Sequence, residues 1–334
     1  MHPATPEQLG QVETEYHRLY RAHPDYRWWR PLLLMCLVGV FALLSSGVVM
    51  AIALGVIGAV RGEPVDPWEI EGLFIPDTQN PVTMLLGLGS IAVWLPCVFF
   101  AMWCVGIKPA GRLSSVAFRL RWGLIARLIL PGLAALLAVQ AVSIGVGLLL
   151  PSEGPAPEVV PVEMGTALAS VLIILLIVPV QAAAEEYVFR GVLMQAIGSW
   201  LRNPALAIIL PTLLFMSQHI YDVWGLLQVG LMGATAAWLA WRTGGLEAAI
   251  VIHVLNNIVS MLIMTTGLTG QTGQTAETGG PLSVLVVAVM LAVYAWLAMR
   301  VFTRGGYGRT LLVVPAPAAQ LPSAPAPLWT GTPG

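Results

Sequence analysis

Charge is what this sequence has least of. Asp, Glu, Lys and Arg make up 10% of its 334 residues, against roughly 25% in a soluble domain. That scarcity excludes a soluble globular protein. A net charge of -1 and the lack of a basic tail leave little to hold a phosphate backbone, so no nucleic-acid partner is expected. Cysteine is nearly absent too. Cys36, Cys97 and Cys104 all fall inside apolar runs and form no CxxC pair. They imply core packing and no disulfide framework. Neither a GxSxG elbow nor an HExxH zinc motif is present. A cleavable signal peptide is not expected, because the first apolar run begins near Leu32 and far exceeds a signal core in length. Nor is there an inverted repeat of the kind common in transporters.

Apolar length is what the chain has in abundance. Hydrophobic residues reach 57%, and the mean hydropathy is +0.81. A spanning helix needs about 20 mostly apolar residues. Such runs lie near 32–60, 82–106, 124–150, 165–184, 205–221, 223–241, 246–265 and 282–302. The expected fold is therefore all-α, a polytopic bundle of about eight transmembrane helices with its catalytic core in the C-terminal half. The run near 205–221 is short and carries Pro211. Basic residues flank alternate connections, as with Lys108, Arg112, Arg119 and Arg121 after the second run and Arg300, Arg304 and Arg309 after the eighth. Acidic residues such as Glu63, Asp66, Glu153 and Glu158 occupy the others. The positive-inside rule then puts both termini in the cytoplasm, in an integral protein of the plasma membrane.

Four segments follow from this pattern. Residues 1–30 form a cytoplasmic amphipathic segment: Leu9, Val12, Tyr16, Leu19 and Tyr20 recur at helical spacing, with Thr5 and Pro6 as cap and first turn. It can lie on the membrane surface or pack on the bundle. Residues 31–164 hold three spanning helices, 165–302 the catalytic membrane core, and 303–334 a disordered Pro/Ala-rich tail.

Ionisable groups inside spanning segments are costly and point to function. Here they concentrate in three places. "EEYVFR" holds Glu185, Glu186 and Arg190. Glu186 and Arg190 stand i,i+4 and can pair, whereas Glu185 is turned about 100° away. One carboxylate thus reads as structural support and the other as free to face a cavity, with Pro179 available to kink the helix. "FMSQH" sets Phe215 and His219 on one helix face. "HVLNN" does the same for His253 and Asn257.

Peptide hydrolysis requires an activated water, a group to move its proton and donors for an oxyanion. Glu185 with His219 can hold and deprotonate the water. His253 and Asn257 can serve as oxyanion donors, and Glu186, Arg190 and Phe215 can support the site. No serine or cysteine is placed as a nucleophile. A divalent metal such as zinc on Glu185, His219 and His253 is the alternative, and the residues alone do not separate the two.

The ordered set EExxxR, FxxxH and HxxxN resembles the CPBP family of intramembrane proteases, which includes type II CAAX prenyl endopeptidases and bacteriocin-processing or self-immunity proteins. The resemblance covers roughly residues 165–265 and matches at all seven motif positions. It implies an intramembrane endopeptidase of CAAX-protease type, often labelled a metalloprotease, cutting near the membrane–cytosol interface. Its partners would be membrane lipid and a membrane-associated peptide or protein substrate. Nothing in the residues marks a prenyl group. The competing readings are a non-catalytic peptide-binding, immunity or regulatory protein of the same fold, and a proton-coupled transporter.

Overall fold

The computed structural model describes residues 12–149, 158–276 and 279–313. It is 74% helical, with ten helices and almost no sheet. Local sequence sets the helix limits. Helix α1 (Arg30–Arg61) takes a proline in its first turn and ends on Gly62, whose φ of 77° glycine adopts without steric penalty. The Asn80 side chain caps α2 (Pro81–Ala92) by accepting from the Val82 and Thr83 N–H groups. One residue later α3 (Trp94–Val105) begins, and the two together make a 25-residue apolar length. Helix α4 (Trp122–Leu149) follows.

Glu163 caps α5 (Met164–Glu186), which runs through π-helical turns at Tyr187–Leu193 into α6 (Met194–Trp200). Asn203 and Pro204 start α7 (Pro204–Met216). Asp222 caps α8 (Val223–Thr243), and Gly244 at φ 70° ends it. Helices α9 (Glu247–Thr265) and α10 (Pro281–Arg304) complete the bundle.

Among the described residues seven apolar lengths can cross a membrane, where the sequence reading gave about eight. The difference is α7, which has 13 residues and so reaches only about 20 Å. The fourth run is longer than expected: 37 residues from Met164 to Trp200 form one apolar rod containing the "EEYVFR" motif in its interior. Helices α4, α8, α9 and α10 form a ring, since α9 and α10 each pack on both α4 and α8. Helix α5 lies against the outer side of α9. The loops at 62–80, 158–163 and 266–280 gather at one end of the bundle, through Thr78 N–H to Thr272 O at 2.8 Å and Val160 N–H to Gly267 O at 3.1 Å.

At the other end Arg121 locks four elements together. Its guanidinium donates to Glu247 Oε1 at 2.8 Å and Oε2 at 2.7 Å, to Thr243 O at 2.9 Å and to Gly308 O at 3.0 Å. Glu247 is fully buried.

The N-terminal segment departs from a surface helix. Val12–Glu15 is a strand, β1, paired antiparallel with β2 (Thr310–Val313), and Tyr16–Ala22 is a 3-10 turn. Tyr16, Leu19 and Tyr20 are buried in the main core, and the Tyr16 hydroxyl donates to Leu113 O. Among the described residues of the segment these three large side chains turn toward the bundle. The strand pairing puts both ends of the described chain on one side. It also orders residues 303–313, which the sequence reading assigned to the tail. Thr5, Pro6 and Leu9, and the stretch from Pro315, lie outside the described residues. Cys36 and Cys104 are exposed on the bundle's outer surface, contrary to the expected core packing, because the apolar runs holding them face outward.

Gly198 is where α6 touches this segment: a Cβ there would run into the His17 carbonyl. Gly198→Ala should undock β1 and the 3-10 turn, at roughly 1–3 kcal/mol. Limited proteolysis should then cut within residues 12–22 while the helices stay protected. An unchanged digestion pattern would show that α6 does not hold the segment.

Candidate active site

The polar residues of α5 and α9 meet in the interior of the bundle. Glu185, Glu186, Arg190 and His253 are all buried, none more than 7% exposed. His253 lies between the two carboxylates, with Nδ1 at 2.7 Å from Glu186 Oε1 and Nε2 at 3.2 Å from Glu185 Oε2. Arg190 donates from Nη1 to the same Glu186 oxygen at 2.9 Å. With both carboxylates ionised, both ring nitrogens donate and the ring is an imidazolium. Two anions then face two cations, and the cluster is neutral. Burying four charges is tolerable only when each is compensated in this way.

Glu186 pairs with Arg190, as the i,i+4 spacing allows. Glu185 bonds to His253, so both ring nitrogens of His253 face carboxylates. The rotation between adjacent helix positions explains this. Residues 185 and 186 point to different sides of one imidazole on α9 and grip it from both.

Phe215 joins the third helix to the cluster. The Arg190 guanidinium sits 4.5 Å from its ring centroid, a cation–π contact. The His219 and His253 rings stand edge-on to it at 4.8 and 5.9 Å. Thr212, Phe215 and Arg190 also crowd Gly233 of α8, where a Cβ would lie 2.9 Å from Arg190 Nη2. Glycine at 233 therefore allows α8 to approach the arginine.

His219 follows the end of α7, where helical bonding has given way to a turn. Its Nδ1 lies 2.9 Å from Phe215 O. A carbonyl only accepts, so Nδ1 carries the proton and Nε2 keeps the lone pair in the neutral ring.

A cavity of about 370 Å³ adjoins the cluster, lined by Phe215, His219, Tyr221, His253 and Asn257 and, farther along, by Gln140, Gln228, Asn256 and Ser260. Asn257 donates one Nδ2 hydrogen to Gln181 Oε1 at 3.4 Å and accepts from Asn256 at 3.3 Å, leaving its second Nδ2 hydrogen for another acceptor. The motif reading missed Gln181, Tyr221 and Gly233. Gln181 had a signal, as an amide one turn before Glu185 in an apolar helix. Tyr221 and Gly233 had none.

A metal fits this donor set poorly. His253 has no ring lone pair to give while both nitrogens serve carboxylates, and His219 stands apart across Phe215. Among the described residues no group of three His, Cys, Asp or Glu side chains is gathered to hold one.

Residues 167–259 match the family described as type II CAAX prenyl endopeptidase Rce1-like. The matched segment holds all seven motif residues, in agreement with the resemblance that the motifs carry. The uncharacterized protein YyaK of Bacillus subtilis (strain 168) is 30% identical over 98 residues, 27% of this chain and 33% of YyaK. The match thus spans a third of that relative's length. No solved structure matches.

The cluster makes Arg190 essential to folding. Arg190→Ala strands Glu186 with half its compensation and should cost about 3–5 kcal/mol. Thermal unfolding in detergent should show the loss, and adding Glu186→Gln should restore part of it. A double variant no more stable than Arg190→Ala alone would mean that the pairing is not what Arg190 supplies.

Proposed function

We propose that the chain is an intramembrane endopeptidase that hydrolyses a peptide bond with a water held beside Glu185 and His219. The observation that supports this most is a carboxylate–imidazole pair, Glu185 with His253, whose imidazole lines a cavity together with His219 and Asn257. Protease families of the Rce1-like kind supply the reaction class.

In this reading each group has one task. The Nε2 lone pair of His219 accepts a hydrogen bond from the water and orients it. Glu185 takes the proton as the water oxygen attacks the scissile carbonyl. The second amide hydrogen of Asn257 meets the oxyanion of the tetrahedral intermediate. When the C–N bond breaks, the proton on Glu185 passes to the leaving amine, so the base is regenerated without any further reactant. His253 holds Glu185 correctly turned between attacks. Glu186 and Arg190 hold His253 in place. His253 lies six residues into α9, ~9 Å from the end marked by Glu247 and Arg121, which fits cleavage in the half of the membrane nearer the basic helix ends.

The test is cleavage of a panel of quenched membrane-proximal peptides by the full chain in proteoliposomes. Glu185→Gln keeps the shape of the side chain and should lower cleavage by roughly 10²–10⁴-fold, and His219→Ala should do the same. Wild-type rates in Glu185→Gln would remove the proposed base.

A further inference from the structure

The 3-10 turn at Tyr16–Ala22 repeats every three residues, so its side chains fall into three rows. Tyr16 and Leu19 form one buried row, and His17 and Tyr20 form another. The third row holds Arg18 and Arg21. It turns away from the core, with Arg18 half-buried and Arg21 exposed. A third cation joins them from the link between α6 and α7. His17 Nε2 lies 3.4 Å from Arg202 O, so Arg202 stands against the same turn. Burial, and after it the charges of Arg21 and Arg202, pull the Arg18 guanidinium below the ordinary arginine range.

Little in the described chain offsets this charge. Between residues 16 and 30 the sequence places four arginines against one carboxylate, Asp25. Glu15 is engaged elsewhere: its Oε1 accepts from Arg309 at 2.7 Å, and its Oε2 stands 3.7 Å from His17 Nδ1. Two buried polar atoms beside the cluster bond to no described residue, Arg18 Nη1 and the Tyr26 hydroxyl. Tyr26 belongs to the same place, because the Arg21 guanidinium lies over its ring, 4.9 Å from the centroid. Both atoms are hydrogen-bond donors, and a buried donor gains most from a charged acceptor.

Indole rings border the cluster. Trp28, Trp29 and Trp200 are exposed, and Trp200 Nε1 donates to Trp28 O at 2.8 Å, which ties the start of α1 to the end of α6. Exposed tryptophans where apolar helices begin and end mark the headgroup layer of a membrane. We infer that Arg18, Arg21, Arg202 and Tyr26 hold the phosphate of an anionic phospholipid headgroup, and that this headgroup braces the N-terminal segment against α6. Guanidinium N–H groups match phosphate oxygens in geometry as well as in charge, and basic pockets at helix ends suit lipid headgroups. A net-negative headgroup is favoured over a zwitterionic one, whose ammonium would meet the same arginines. The bracing follows from the charges. Arg18 and Arg21 on the turn repel Arg202 across the contact that Gly198 permits, and an anion between them turns that repulsion into attraction.

The test uses the full chain, delipidated in a neutral detergent and given phosphatidylglycerol, phosphatidylcholine or inorganic phosphate. Native mass spectrometry measures the lipid retained, and limited proteolysis reads the protection of residues 12–22. Phosphatidylglycerol should bind about tenfold more tightly than phosphatidylcholine and slow cleavage within 12–22. Arg18→Gln combined with Arg21→Gln should abolish both differences, and Arg202→Gln, at an exposed position, should weaken them on its own. Arg300→Gln combined with Arg304→Gln removes the same charge from exposed positions at the end of α10 and should leave both intact. Equal binding of the two lipids, full retention in the Arg18 and Arg21 variant, or an equal loss in the Arg300 and Arg304 variant overturns the site. Protection by inorganic phosphate equal to that by phosphatidylglycerol overturns the lipid assignment in favour of a soluble anion. Selective lipid retention with unchanged cleavage of 12–22 overturns the bracing role.

Discussion

Everything at the centre of this molecule depends on one imidazole gripped by two carboxylates. His253 sits between Glu185 and Glu186, and Arg190 balances the second negative charge. An isolated ion in a membrane interior costs several kcal/mol even after relaxation, so none of the four groups could be buried alone. Bonded to one another, they oblige α5 and α9 to meet at one level and in one rotation. The cation–π contact from Arg190 to Phe215 extends the same constraint to α7, while Gly233 lets α8 close behind it. A polar cluster of this kind contributes little net stability. Its contribution is register, since helices packed through apolar faces in lipid otherwise have few reasons to prefer one rotation.

Much of this was legible in the residues. Alternate basic and acidic connections and 20-residue apolar runs gave most of the helices, though not the length of the fourth or the shortness of α7. The three motifs named every member of the central cluster. What could not be read was which atom meets which. The spacing of Glu185 and Glu186 established that they diverge, but whether a third group would fill the angle between them depends on the rotation of α9. That rotation is set by contacts spread over α4, α5 and α8. The same limit explains the assignment of His219. Its partner carbonyl is in its own chain at Phe215, yet it becomes available only because α7 stops short.

The N-terminal segment went astray for a different physical reason. Tyr16, Leu19 and Tyr20 are spaced three and four apart, which suits an α-helix and equally a 3-10 turn. Only the partner decides between them. The partners are α6, which packs on the turn, and Thr310–Val313, which pairs with Val12–Glu15 from nearly 300 residues away, and contacts at such separation leave no trace in local periodicity. Cysteines 36 and 104 were misplaced because an apolar run in a membrane protein has two apolar surroundings, neighbouring helices and lipid, and its composition does not choose between them.

The cavity connects these facts to chemistry. The hydrolysis proposed above consumes water, and water enters an apolar bundle along side chains that bond to it. The amides of Gln140, Gln228 and Asn256 and the Ser260 hydroxyl supply such groups along the cavity. At the basic helix ends Arg121 and Glu247 are bonded to each other so closely that they act as a lock between helix ends. The charges that anchor the helix ends are thus kept apart from the charges gathered around His253.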